Sequence, residues 1–181
     1  MKRLLDRWPT GLALVAIAGA IAVIVLLDRE VQYFGPSIAT MAGIYLMAYA
    51  LGRPRTAWLA FAVLSVVVSV FQVTGVDPFV GMTAVLVLLW LWTIVVRRFT
   101  DGRTFSVQTA GMVGFGLVTL AIAAVSPEAG LVLAGLGFLA HGAWDAYHFA
   151  LNKVVDRPWS EFCGVVDLGV GAALLTVAAV G

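Results

Sequence analysis

Charge is scarce in this chain. Only 12% of its 181 residues are Asp, Glu, Lys or Arg, against about 25% in an ordinary soluble domain. With 62% hydrophobic residues and a mean hydropathy of +1.02, so few charges cannot clothe the surface of a globular protein of this length. A formal net charge of +1 excludes the dense basic face that nucleic-acid capture needs. The single cysteine, Cys163, rules out an intramolecular disulfide and any cysteine-based zinc cluster. No polar segment is long enough to fold by itself, and no repeat, prenylation motif or low-complexity tract stands out.

What the chain has instead is long apolar runs. A transmembrane helix needs about 20 mainly apolar residues, and seven stretches qualify: 10–27, 34–51, 57–76, 79–96, 105–125, 130–151 and 160–180. The breaks carry turn chemistry, as in Asp28-Arg29-Glu30, Gly52-Arg53-Pro54-Arg55, Asp77-Pro78, Asp101-Gly102 and Ser126-Pro127-Glu128. Pro36, Pro78, Pro127 and Pro158 fall at or near helix starts, where a missing N–H does little harm. The first run follows Lys2, Arg3 and Arg7, is long for a signal peptide and has no small-residue cleavage site after it. It reads as a retained first helix. The expected fold is therefore a single-domain, all-α, seven-helix transmembrane bundle.

Orientation follows from the basic residues. If the N-terminus is inside, every lysine and arginine except Arg29 lies in the inner segments 1–9, 52–56, 97–104 and 152–159. The positive-inside rule then places the N-terminus in the cytoplasm and the C-terminus outside. Trp8, Trp58, Trp90, Trp92 and Trp159 cluster near the same ends, as one half of an interfacial belt does. The expected location is the cell membrane, as a multi-pass protein.

Both histidines and two of the ten acids lie deep inside these runs, His141, Asp145 and His148 on the sixth and Asp167 on the seventh, while Glu161 stands only at the start of the seventh. A charge at bilayer depth costs roughly 2.5–3.5 kcal/mol even on the most lenient scale. On a helix of 3.6 residues per turn, positions 141, 145 and 148 fall within about 60° of one another. Ala134 and Gly137 continue that stripe, and Ser160, Cys163, Gly164, Asp167 and Gly171 form its counterpart on the seventh run. Small residues let two helices approach closely. The short link between the runs makes them antiparallel neighbours, so the two stripes should meet. The apolar residues of the sixth run gain about 0.3–0.6 kcal/mol each on insertion while Asp145 alone costs about 3, so its polar face should be packed inward.

Three functions suit such a cluster. The first is a metal centre of zinc or iron, with His141, Asp145 and His148 as ligands and Asp167 as a fourth ligand or general base. Three protein ligands with an open position hold catalytic zinc, and two histidines with a carboxylate suit non-haem iron. The protein would then be a metal-dependent enzyme acting within the bilayer on a lipid-like or hydrophobic substrate. The second is a small proton-coupled transporter in which Asp145 and Asp167 alternate protonation. The third is a structural or partner-binding subunit with an inert polar network. Membrane lipid and a hydrophobic small molecule or ion are the expected partners; the sequence names neither a substrate nor an oligomeric state.

Among the weaker candidates, Tyr45 and Tyr49 share depth with His148 and could bond to the cluster, or serve as interfacial tyrosines. Gln108, beside Thr109, could reach Asp145. Glu161 reads as a charge at a helix start, Cys163 as a small buried hydrophobe sharing a face with Asp167, and Gln72 as a solvated residue.

Seven spans, an internal N-terminus and an inner-side His/Asp cluster resemble the zinc-dependent membrane hydrolases of the progestin and adiponectin receptor family. The resemblance is architectural and implies zinc held near the cytoplasmic side. That family pairs a His-x3-His run on its last helix with an earlier histidine; here the run is His141-x3-Asp145-x2-His148 on the sixth span, and no histidine lies elsewhere. Microbial rhodopsins share the helix count, but their retinal needs a lysine in the last span, and the only lysines are Lys2 and Lys153.

Overall fold

The computed structural model describes residues 7–26 and 34–180. Lys2, Arg3 and the expected break at Asp28-Arg29-Glu30 lie outside the described residues. Seven α-helices follow in order among the described residues: α1 Trp8–Leu26, α2 Gly35–Leu51, α3 Ala57–Thr74, α4 Pro78–Val95, α5 Gly102–Ala124, α6 Pro127–Leu151 and α7 Arg157–Val180. The expected helices are all present. Six are long and apolar enough to cross a membrane; α2, with 17 residues, is shorter.

The breaks in apolar character become helix ends by identifiable chemistry. Asp77 accepts hydrogen bonds from the amides of Phe79 and Val80, both at 2.9 Å, and Pro78 opens α4. Ser126 receives the Ala129 amide ahead of Pro127 and α6. Asp156 receives the Trp159 amide at 3.2 Å in the first turn of α7. At the other ends, Gly52 (φ 68°) and Asn152 (φ 49°) adopt the left-handed conformation and return their amides to Ala48 and His148 carbonyls. Near the same end of the bundle, Lys153 donates to Asp101 at 2.6 Å and to Thr104 at 2.8 Å, tying the α6–α7 link to the start of α5. The hydrogen bond from Lys153 holds the exposed Asp101 carboxyl below its usual range.

The shortest helix is the hub. Of the 17 residues of α2, 14 are buried, and α3, α4, α5 and α6 all pack against it. A helix enclosed on all sides is apolar all round, and it need not match the length of the helices that sheathe it. The outer helices invert the usual pattern. Leu14, Val15, Val25, Val66, Val73, Val80, Leu88 and Val95 are exposed. Apolar surface of that extent is foreign to a soluble monomer and suggests a multi-pass membrane protein.

The most extensive interface joins α6 to α7. A Cβ placed on Gly171 would lie 2.9 Å from the Gly135 carbonyl oxygen, and one on Gly164 would lie 3.2 Å from Asp145 Cβ. Gly142 faces Leu168, whose Cδ2 would stand 3.0 Å from an added Cβ. The expected partner stripe through Gly137 is displaced by two residues, because Gly137 instead receives Ile38 of α2 and Val118 of α5. Replacing Gly171 with alanine should therefore cost about 1–3 kcal/mol through overpacking against backbone. Gly114→Ala, at an α5 position with open space around it, should be neutral or stabilising. Thermal unfolding in detergent distinguishes the two; equal melting temperatures would contradict the close approach.

Candidate functional site

The α6–α7 contact carries His141 and Asp145 from one helix against Asp167 from the other. His141 Nδ1 lies 2.7 Å from Asp167 Oδ2 and 3.3 Å from Asp145 Oδ2. The expected meeting of the two stripes is thus realised. His141 and Asp145 are wholly buried and Asp167 is 1% exposed. Cys163, one turn before Asp167 on α7, completes a group of four whose candidate ligand atoms all lie within 4.8 Å of one another.

A fifth residue arrives from the hub. The Tyr45 hydroxyl donates to Asp145 Oδ1, so each Asp145 oxygen has a partner. Tyr45 and Phe115 also wall in the His141 ring, with centroids 5.6 and 4.9 Å away. Tyr45 was legible in the sequence as a bonding candidate; its companion Tyr49 instead donates to the Arg98 carbonyl at 2.8 Å.

His148 stands apart from the four. Its Nδ1 bonds the Trp144 carbonyl at 2.9 Å and its Nε2 bonds Gln108 Nε2 at 2.9 Å. A carbonyl only accepts, so Nδ1 carries the hydrogen and Nε2 receives the Gln108 amide. Both ring nitrogens are engaged away from Asp145. Position 148 shares a broad face with 141 and 145, but α6 has two neighbours there, and the last turn of that face is turned to α5. Gln108 accordingly meets His148 rather than Asp145.

Two other sequence expectations resolve differently. Glu161 lies in the second turn of α7, accepting from Thr10 at 2.6 Å and facing Arg7 at 3.3 Å, so it ties α1 to α7 while Asp156 does the capping. Cys163 is buried, as a small hydrophobe would be, yet its place among three ligand-type residues gives it a chemical context. Gln72 is exposed as expected.

The group is short of positive charge. Two carboxylates face one imidazole, and among the described residues no lysine or arginine forms an ion pair with either acid. Two buried polar atoms of the group, His141 Nε2 and Asp167 Oδ1, have no protein partner. Leaving such a group unsatisfied costs about 1–3 kcal/mol, more when it is charged. A mixed nitrogen, oxygen and sulfur donor set of this size suits a divalent transition metal such as zinc.

Asp167 and Cys163 also line an apolar cavity of about 250 Å³. Its other walls include Ile44 of α2, Phe61 of α3, and Trp159 and Phe162 of α7. The candidate site therefore joins a polar cluster to hydrophobic space. No protein-family model, no curated protein and no solved structure matches the chain. The class the fold and site define is an apolar helical bundle with a buried His/Asp/Cys cluster that could bind a metal.

The Tyr45 bond can be probed alone. Tyr45→Phe deprives a buried carboxylate of a donor and should cost about 1–3 kcal/mol of stability, whereas Tyr49→Phe, losing a partly buried bond to a carbonyl, should cost less. A Tyr45→Phe protein with the wild-type melting temperature would remove Tyr45 from the cluster.

Proposed function

We propose that the protein is a multi-pass cell-membrane enzyme that uses a zinc ion held by His141, Asp145 and Cys163, with Asp167 beside it as general base, to act on a hydrophobic or lipid-like substrate. The observation that carries this reading is the charge deficit of a fully buried group that offers four ligand atoms and borders an apolar cavity. Burying two carboxylates with one imidazole leaves several kcal/mol of desolvation uncompensated, and a divalent cation offsets it. With both nitrogens of His148 engaged, the two-histidine face that suits non-haem iron is missing, which favours zinc over iron.

A zinc ion held there would polarise a substrate carbonyl or lower the pKa of a bound water toward about 7. The chain's own residues divide the remaining work. Tyr45 fixes the Asp145 carboxylate by bonding its Oδ1. Asp167 turns Oδ2 toward His141 and keeps Oδ1 unpartnered, which suits it to accept a proton from substrate or water as general base. The aromatic walls around His141 keep bulk water from the cluster.

Protein purified in detergent without chelators should contain about one zinc per chain. His141→Ala and Asp145→Ala should each lower zinc affinity at least tenfold, and His148→Ala should leave it unchanged. Metal-free protein would sink the enzyme reading. If the same protein in vesicles also moved protons in a way that Asp167→Asn abolishes, the hydrogen-bonded run Tyr45–Asp145–His141–Asp167 would instead be the core of a proton-coupled transporter.

The orientation proposed is N-terminus cytoplasmic and C-terminus external. Its support is the gathering of Arg53, Arg55, Arg97, Arg98, Arg103, Lys153 and Arg157 in the α2–α3, α4–α5 and α6–α7 links and the helix ends beside them. Alkaline phosphatase fused to the C-terminus should be active in a bacterial host and a cytoplasmic fluorescent reporter there dark; the opposite pair inverts the topology.

A further inference from the structure

A second cavity, of about 140 Å³, opens between the first turns of α5 and the last turns of α6. Its walls come from those two helices and from the α6–α7 link, at the end of the bundle where the basic residues gather. The buried pair Gln108 and His148, 2% and 1% exposed, forms its floor, and Arg103, Tyr147 and Lys153 at its mouth are all exposed. Val107, Leu151 and Val154 supply apolar wall. The space far exceeds the roughly 10–15 Å³ that holds one water, so it admits a larger polar group.

The sign of an occupant follows from the hydrogen-bonding capacity that the protein leaves unspent. Arg103 forms no hydrogen bond or ion pair among the described residues, so its whole guanidinium fork is on offer. The Tyr147 hydroxyl is equally unspent, and its ring stands edge-on to His148 with centroids 5.1 Å apart. Lys153 has three N–H groups and gives one each to Asp101 and Thr104, which leaves a third. Asp101 is occupied by Lys153 and does not line the cavity. On the floor, Gln108 gives an N–H to His148 Nε2, and the His148 Nδ1–H goes to the Trp144 carbonyl. Gln108 keeps an N–H and a carbonyl, so it can meet a donor or an acceptor. The mouth decides. It offers chiefly donors and positive charge, and no acidic side chain is on the lining; an occupant must bring acceptors and negative charge.

A lipid is the source that fits the position. Arg103 stands in the first turn of α5 and Leu151 is the last residue of α6, the level at which these helices leave the apolar layer. Basic pockets between helices at the cytoplasmic face of a membrane take anionic head groups, and the exposed Leu151 beside the mouth gives acyl chains an apolar contact.

We propose that the α5–α6 cavity binds the phosphate head of an anionic inner-leaflet lipid, with Arg103 as its principal cation and Tyr147 and Lys153 as further donors. The assignment rests on the membrane reading above and is independent of the zinc ion.

The test reads lipid retention. Full-length protein is reconstituted in mixed phosphatidylcholine and phosphatidylglycerol vesicles, extracted in mild detergent and weighed intact by native mass spectrometry. It should retain phosphatidylglycerol in preference to phosphatidylcholine. Arg103→Gln should reduce that preference about fivefold, the worth of one basic residue at an anionic lipid surface. Arg55→Gln, in the α2–α3 link, should leave it unchanged. Equal retention of the two lipids, or an equal loss with Arg55→Gln, would overturn the site. A second measurement places the occupant: Leu151→Cys puts an exposed thiol on the lining, and phosphatidylglycerol should slow its alkylation by N-ethylmaleimide severalfold relative to phosphatidylcholine alone. No protection would overturn occupancy of the cavity, and equal protection by inorganic phosphate would assign it to a soluble anion and overturn the lipid. Protein that fails to float with the vesicles would sink the membrane reading itself. Zinc is measured on the same samples, so a metal-free protein that keeps the lipid preference separates failure of the enzyme reading from failure of this site.

Discussion

The close approach of α6 and α7 is the constraint on which the rest depends. Gly135, Gly142, Gly164 and Gly171 remove the side chains that would hold the two backbones apart. Only at that separation can His141 on one helix reach Asp167 on the other at hydrogen-bond distance. In an apolar surrounding, helices gain little from burying more apolar surface, and packing of small residues takes over as the adhesive. The same contact that makes the bundle therefore makes the cluster. A residue large enough to part the helices would act on both.

The polar network is layered rather than scattered. The group of four lies between α6 and α7, Tyr45 reaches it from the hub helix, and the His148–Gln108 pair links α6 to α5 beside it. Each layer uses up donors and acceptors that would otherwise be stranded in apolar packing, which is what buried polar groups require. The exceptions are His141 Nε2 and Asp167 Oδ1 within the group, with the indoles of Trp144 and Trp159 nearby. The first two distinguish this cluster from a closed structural network, in which every partner is supplied from within.

Much of this was legible in the residues. Apolar runs and their Pro, Asp and Gly punctuation located all the helices, because turn chemistry and hydrophobic length are local properties. His141, Asp145 and Asp167 were legible as a group because their depths along adjacent antiparallel helices could be counted. His148 was not separable from them, since residues within 60° on one helix can still face two different neighbours, and only the position of Gln108 on α5 decides between them. Cys163 carries no distinguishing pattern of its own; a buried thiol in a helix looks the same whether it packs or binds. The exchange of Gly137 for Gly135 at the interface has a similar origin, because α6 is small-residue-rich on more than one side. Glu161 read as a cap because its tie to α1 spans almost the whole chain, from Thr10 and Arg7, and no local spacing reports it.

The polar face of α6 also bears on how such a chain is made. A helix bearing Asp145 and two histidines sits near the break-even point for partitioning on its own, and its complement is not synthesised until α7 emerges. The tight link, with Asn152 in the left-handed conformation and Asp156 capping the next helix, folds the two back on each other with little slack. Delivery as a preformed hairpin would let each shield the other's hydrophilic groups from the outset. A chain interrupted between them would present its bare stripe to the quality-control machinery of the cell.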